Sequence, residues 1–83
     1  MNFGQAIEHA INSKFITRKG WNGKNMYIFY TPETFSTAAG MTIDGKFIKY
    51  EPYLSLYTTR DTIQKGWVPS QEDILAKDWE LAQ

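Results

Sequence analysis

Cysteine is absent from the chain, and histidine occurs once, at His9. Without thiols there is no disulfide framework, no thiolate nucleophile and no cysteine-based zinc site. That composition suits a reducing compartment. A net charge is lacking too, because nine Lys and Arg balance nine Asp and Glu. Duplex-binding domains usually carry a basic excess, since phosphate neutralisation supplies most nonspecific affinity, so neither DNA nor RNA is the expected partner. No run approaches the roughly 20 apolar residues of a membrane span. The opening MNFGQAIEHAINSK has no basic cluster followed by an unbroken apolar stretch, so no signal peptide is expected. The chain reads as soluble and intracellular, without membrane or cofactor. Its 83 residues give room for one domain, 1–83, and no second core.

What the chain has in quantity is aromatic surface: five Phe, five Tyr and three Trp. Packing every one of those rings inside so small a domain is difficult. Some are therefore expected to line a pocket or a subunit interface, the alternative being an aromatic-rich core with a few exposed hydroxyls. Charge is unevenly placed. No acid lies between Glu8 and Glu33, where Lys14, Arg18, Lys19 and Lys24 all fall, while Glu72, Asp73, Asp78 and Glu80 crowd the C-terminal end. Either the basic stretch serves a small anion, or it pairs with the acidic tail of the same or a neighbouring subunit.

The spacing of Phe3, Ala6, Ile7, Ala10 and Ile11 predicts an amphipathic helix over 2–12, opened by a capping box of Asn2 and Gln5. His9 lies off that stripe and reads as a solvated residue. Short strands are expected over 14–18 and 26–31, separated by the turn Gly20-Trp21-Asn22-Gly23-Lys24. Residues 33–42 are polar and small and read as a loop. Asp44-Gly45 signals a hairpin between 41–43 and 46–50. Another strand is expected over 53–58, a polar turn over 59–65, a short helix from Ser70 to Lys77 and a last strand over 78–81 carrying Trp79. The fold class is α+β: an N-terminal helix packed on an antiparallel β-sheet, with a short helical turn near the C-terminus.

Two segments carry more information than the periodicities. They are the run from Arg18 to Tyr27, RKGWNGKNMY, and the run from Gly66 to Trp79, GWVPSQEDILAKDW. With the opening Asn2-Phe3-Gly4-Gln5-Ala6, they resemble the second family of phage Thoeris anti-defence proteins, in family order and over nearly the whole chain. The resemblance implies a sponge: a protein in the cytoplasm of the infected bacterial host that sequesters the cyclic ADP-ribose-type signal made by TIR-domain immune proteins, leaving the effector off. Some relatives also hold cyclic dinucleotides. The resemblance further implies a homo-oligomer, a tetramer, with ligand sites formed between protomers.

The residue types are compatible with such a ligand. Trp21, on a glycine-flanked turn, and Trp67, before a proline-fixed turn, offer faces for a base, worth about 1–3 kcal/mol per ring. Asn22 and Asn25 carry the paired donor and acceptor that an adenine edge requires. Arg18 and Lys24 suit a pyrophosphate. Ser70, with the amides that follow it, opens a helix that can cradle an anion; Asp73 opposes that role and either accepts ribose hydroxyls or caps its helix. A ligand of roughly 35 heavy atoms at about −0.3 kcal/mol per atom reaches around −10 kcal/mol only in a largely closed pocket, which favours a site shared between subunits. Trp79 reads as core or interface. Tyr27, Phe29, Tyr53 and Tyr57 have sheet packing as their ordinary role.

Two other function classes stand beside the sponge. A signal-degrading phosphodiesterase would need metal ligands or a histidine base, and the sequence clusters neither; only a carboxylate set of Asp61, Asp73 and Asp78 is conceivable. A direct inhibitor of a host defence protein would instead use the aromatic surface as its interface.

Overall fold

The computed structural model of the chain describes residues 1–21, 25–35, 42–43 and 45–82. Helix α1 spans Phe3–Ile11 and opens as its sequence dictates. The Asn2 side chain accepts the Gln5 N–H at 2.8 Å while Gln5 Oε1 accepts the Asn2 N–H at 3.0 Å, a closed capping box. Ala6 and Ala10 are fully buried; their small side chains let the helix backbone approach the sheet. Ile11 departs from the expected stripe: it is 51% exposed, at the point where the helix ends and the chain turns away through Ser13 at φ 71°.

The sheet under α1 contains β1 (Ile16–Arg18), β2 (Tyr27–Thr31), β7 (Tyr53–Tyr57), β8 (Ile63–Lys65) and β9 (Trp79–Leu81). All its pairings are antiparallel, in the order β8-β7-β2-β1-β9. Between β2 and β7 the chain runs out and back through β3 (Thr34–Phe35), β4 (Thr42–Ile43), β5 (Lys46–Phe47) and β6 (Lys49–Tyr50). The pairs are nested, with Thr34 opposite Tyr50 and Ile43 opposite Lys46; β3 with β6 and β4 with β5 form two separate two-stranded pairs. The Asp44-Gly45 hairpin is present as expected, with Gly45 at φ 73°; Asp44 itself lies outside the described residues.

Several boundaries differ from the sequence reading: β1 starts at Ile16 rather than at 14, and the strand expected over 46–50 is two, Lys46–Phe47 and Lys49–Tyr50. Thr34–Phe35 is a strand inside the expected loop, and the rest of that loop, 36–41, lies outside the described residues. Ile63–Lys65 is an edge strand where a polar turn is expected. All three of its residues are exposed, so no inward-outward alternation is written into it. Helix α2 spans Gln71–Leu75 and stops before Lys77, because Ala76 is already extended at ψ 149°.

Register assigns every side chain to one of two faces. Ile16 opposite Ile28, Ile28 opposite Leu56, Tyr30 opposite Leu54 and Arg18 opposite Trp79 all face α1. The core of Ala6, Ala10, Ile16, Ile28 and Trp79 sits there. Trp67 reaches the same side through a bulge: the Gly66 and Trp67 N–H groups both donate to the Leu54 carbonyl at 2.9 Å, with Gly66 at φ 78°. The other face carries Thr17 and Glu80, Tyr27 and Tyr57, and Ile63. No helix among the described residues is long and apolar enough to cross a membrane.

Candidate functional site

The two informative segments meet on the helix side. Arg18, at the end of β1, donates from Nε to Asp78 Oδ1 at 2.8 Å and from Nη1 to Asp73 Oδ1 at 2.9 Å. Only 11% of its side chain is exposed. The second Asp78 oxygen accepts the Gly20 N–H at 2.9 Å, and the Asp78 carbonyl accepts that of Lys19 at 3.2 Å. A Cβ on Gly20 would stand 2.8 Å from that carboxylate oxygen and would push it aside. Asp73 is used three ways. Its Oδ2 accepts the Ser70 N–H at 3.0 Å, closing the capping box of α2; its Oδ1 accepts Arg18 and the Trp21 indole N–H at 3.3 Å; and its carbonyl accepts the Trp79 indole N–H at 2.9 Å.

These bonds organise the three tryptophans. Trp21 and Trp79 stand 5.3 Å apart at 78°, Trp67 and Trp79 6.3 Å apart at 76°, and Trp21 and Trp67 6.4 Å apart at 71°. Phe3 closes the group, 5.4 Å from Trp79. Edge-to-face contacts in this range stabilise beyond their buried area by about 0.5–1.5 kcal/mol each. The Arg18 bond is the main reason the Asp78 carboxyl lies below the usual carboxylate range. Burial alone would raise Asp73, but hydrogen bonds from Ser70, Arg18 and Trp21 bring it below its ordinary value. Asp78 and Asp73 in turn raise Arg18.

The opposite face is an aromatic floor. Phe15 and Tyr27 stack at 6.0 Å and 26°, Tyr27 and Tyr57 at 5.7 Å and 25°, and Phe29 meets Phe15 edge-on at 5.8 Å. With Ile63 they line an apolar depression of about 280 Å³, and both Phe15 and Ile63 remain about half exposed. Tyr57 donates to Asp61 at the margin, and this bond raises the phenol above its usual pKa. A second depression, of about 340 Å³, adjoins through Tyr27 and is lined by polar groups of Thr17, Asn25 and Glu80 beside Met26. Asn25 adopts φ 67° and accepts the Tyr27 hydroxyl at 3.3 Å.

The structure therefore brings Arg18, Trp21, Trp67, Ser70 and Asp73 into one cluster on the helix side and sets Asn25 apart on the open face. Asn22 and Lys24 lie outside the described residues. The Trp21 ring does not project from the sheet edge; it folds back onto Trp79 and the core. Asp73 caps its helix, and Arg18 pairs with the acidic tail of its own chain, as Lys19 does more weakly with Glu80 at 4.0 Å. Sequence reasoning gave Phe15 no role beyond its strand and read Ile63 as part of a turn. The signal for the floor was the identical two-residue spacing of Phe15 with Thr17 and of Tyr27 with Phe29. Among the described residues no group of three His, Asp or Glu stands close enough to hold a metal ion.

The geometry defines a small α+β domain whose aromatic content is divided between a clamped tryptophan cluster and an open floor. A family model for the Thoeris anti-defense 2-like domain matches residues 1–82. Thoeris anti-defense 2 of Bacillus phage SP01 is 36% identical over 85 residues, covering 98% of this chain and 93% of that relative. The chain belongs to the Thoeris anti-defense 2-like family, as its two tryptophan-bearing segments lead one to expect.

Proposed function

We propose that this protein is a phage or prophage sponge: it binds a cyclic ADP-ribose-type immune signal in the cytoplasm of the infected host and holds it without cleaving it. The observation that carries the reading is that an aromatic depression and a polar one share Tyr27 in their lining. Such a surface suits a molecule with a flat base at one end and hydroxyls and phosphates at the other. Rings offer stacking, and Thr17 and Asn25 offer hydrogen bonds. Asn22 and Lys24 complete the proposed contacts, to the adenine edge and the pyrophosphate, and the tryptophan faces of a neighbouring copy are available to the same ligand.

Each depression lies near or below the lower limit of about 300–1,000 Å³ typical of enclosed ligand sites, so one copy of the chain leaves most of the ligand in water. A second copy placed over the floor supplies the missing wall, and the two strand pairs of β3–β6 give further surface for assembly, because two-stranded ribbons are marginal alone. The assembly we propose is a homotetramer; cyclic dinucleotides fit the same chemistry.

The test combines calorimetry with chemical recovery. The purified protein is titrated with the cyclic ADP-ribose isomers that a bacterial TIR-domain enzyme makes from NAD, its mass in solution is measured, and the bound fraction is released by heat. Sub-micromolar binding by an oligomer, with the nucleotide recovered intact, is the expected result. Recovery of a hydrolysed product makes the protein a phosphodiesterase. No binding by a lone monomer, together with capture of a purified Thoeris protein, makes it a direct inhibitor.

A further inference from the structure

Arg18 is the most enclosed of the ion-paired cations among the described residues, and it is surrounded by acids. Asp78 and Asp73 bind it directly, and a Glu72 carboxylate oxygen stands 3.9 Å from Nη2. One positive charge thus faces three negative ones. A pyrophosphate brought to this guanidinium would meet a net negative field and would have to displace two charge-assisted hydrogen bonds. The bonds lead elsewhere. Asp78 links Arg18 to the Gly20 N–H, Asp73 links it to the Trp21 indole and to the Ser70 cap of α2, and the Arg18 carbonyl itself accepts the Trp21 N–H at 3.3 Å.

We propose that Arg18 is a positioning residue: its clamp on Asp73 and Asp78 fixes Gly20 and the Trp21 ring against α2, and it makes no contact with the ligand. The role of this clamp in binding rests on the sponge reading above; its control of Trp21 does not. Clamp and contact differ in sign at Asp78. Were Arg18 a phosphate contact, removing a competing carboxylate would free it and tighten binding. As a clamp it must lose hold when Asp78 is altered, because a carboxamide in place of the carboxylate presents only one acceptor oxygen where two donors converge.

The experiment uses the full-length protein, the TIR-derived cyclic ADP-ribose isomers as titrant, and the Trp21 indole N–H signal in a nitrogen-correlated NMR spectrum. Arg18→Gln, Asp78→Asn and their double variant are each expected to weaken binding at least tenfold, the double no more than the weaker single, as coupled residues do. Arg18→Lys keeps the charge without the fork and is expected to rescue less than threefold. Gly20→Ala, which changes no charge but presses on the Asp78 carboxylate, is expected to reproduce the loss and to shift the same indole signal. Tighter or unchanged binding in Asp78→Asn, or near-full rescue by Arg18→Lys, overturns the proposal. Should the wild-type protein bind none of these nucleotides, the sponge reading fails, and the clamp is then decided by the indole signal: displaced in Arg18→Gln, Asp78→Asn and Gly20→Ala it stands, unmoved in all three it falls. Arg18→Gln losing its fold leaves Asp78→Asn and Gly20→Ala to decide in the same way.

Discussion

The two faces of the five-stranded sheet carry similar aromatic loads and treat them in opposite ways. On the helix side Trp21, Trp67 and Trp79 interlock edge to face with Phe3 tilted against them, two of the indole N–H groups are given acceptors on Asp73, and Trp79 is 2% exposed. On the other side Phe15, Tyr27, Phe29 and Tyr57 are laid flat or edge-on around an apolar depression, with Phe15 about half exposed. A ring whose polar edge is satisfied and whose faces are covered stabilises the fold. A ring left partly in water costs solubility and is retained for what it meets. The contrast separates Trp79, which builds the core, from the half-buried and exposed rings that remain available to a partner.

Removing the covered side has the largest expected effect. Trp79→Ala leaves a cavity at the centre of the core and is expected to cost about 3–5 kcal/mol, a large share of the 5–15 kcal/mol typical of a domain. Denaturant unfolding measures it; a loss below about 1 kcal/mol would mean the two faces are not so different. The reciprocal change on the open side, Phe15→Ser, is expected to cost under about 1 kcal/mol in the monomer, because the residue is already about half exposed, and, under the proposed assembly, to reduce self-association at least tenfold by sedimentation.

Acid sharpens the contrast further. A carboxylate whose folded-state pKa lies below its unfolded value adds stability above the unfolded value and loses it as pH falls through the folded one. Asp73 and Asp78 are both of this kind. Wild-type melting temperature is therefore expected to be insensitive to these two groups from neutrality down to about pH 4 and to fall below it. Arg18→Gln should flatten that acid limb, and an unchanged limb would remove Arg18 from the linkage.

Two smaller effects run the other way. Ser55 is 1% exposed, and its hydroxyl has no partner among the described residues. Ser55→Ala is expected to gain about 1 kcal/mol by removing an unpaired buried group, a gain that thermal unfolding would reveal. Ser13, at φ 71° just past the end of α1, holds a conformation that favours glycine; Ser13→Gly is expected to gain about 0.5 kcal/mol in denaturant unfolding.

Much of the architecture was legible because it depends on local rules. The Asn2-Gln5 box, the α1 spacing, the Asp44-Gly45 turn and the Ser70-Asp73 box each act within four residues, and each opened or turned the element it signals. Face assignment was harder. Trp67 follows a strand whose residues alternate, and only the extra residue at the Gly66 bulge sends its ring under the helix. Ile63–Lys65 pairs with β7 through its backbone alone, which side-chain pattern cannot report. The candidate site was least legible of all. From sequence Arg18 has equal reason to serve a small anion or to pair with the acidic tail, and the two acids it does bind lie 55 and 60 residues along the chain. Nothing short of the fold brings them together.

The segregation of ring types has a practical consequence for anyone watching this molecule at work. Every indole lies on the helix side, and the floor holds only phenol and phenyl groups, so the protein carries two separate optical reporters. Red-edge excitation reads indole emission alone and therefore follows events at the clamp. Shorter-wavelength excitation adds the tyrosines, Tyr27 and Tyr57 of the opposite side among them, with Tyr30 on the helix side. A nucleotide, a second copy or a foreign protein that settles on the floor should alter the second signal first, while one that reaches the cluster must quench or shift the first.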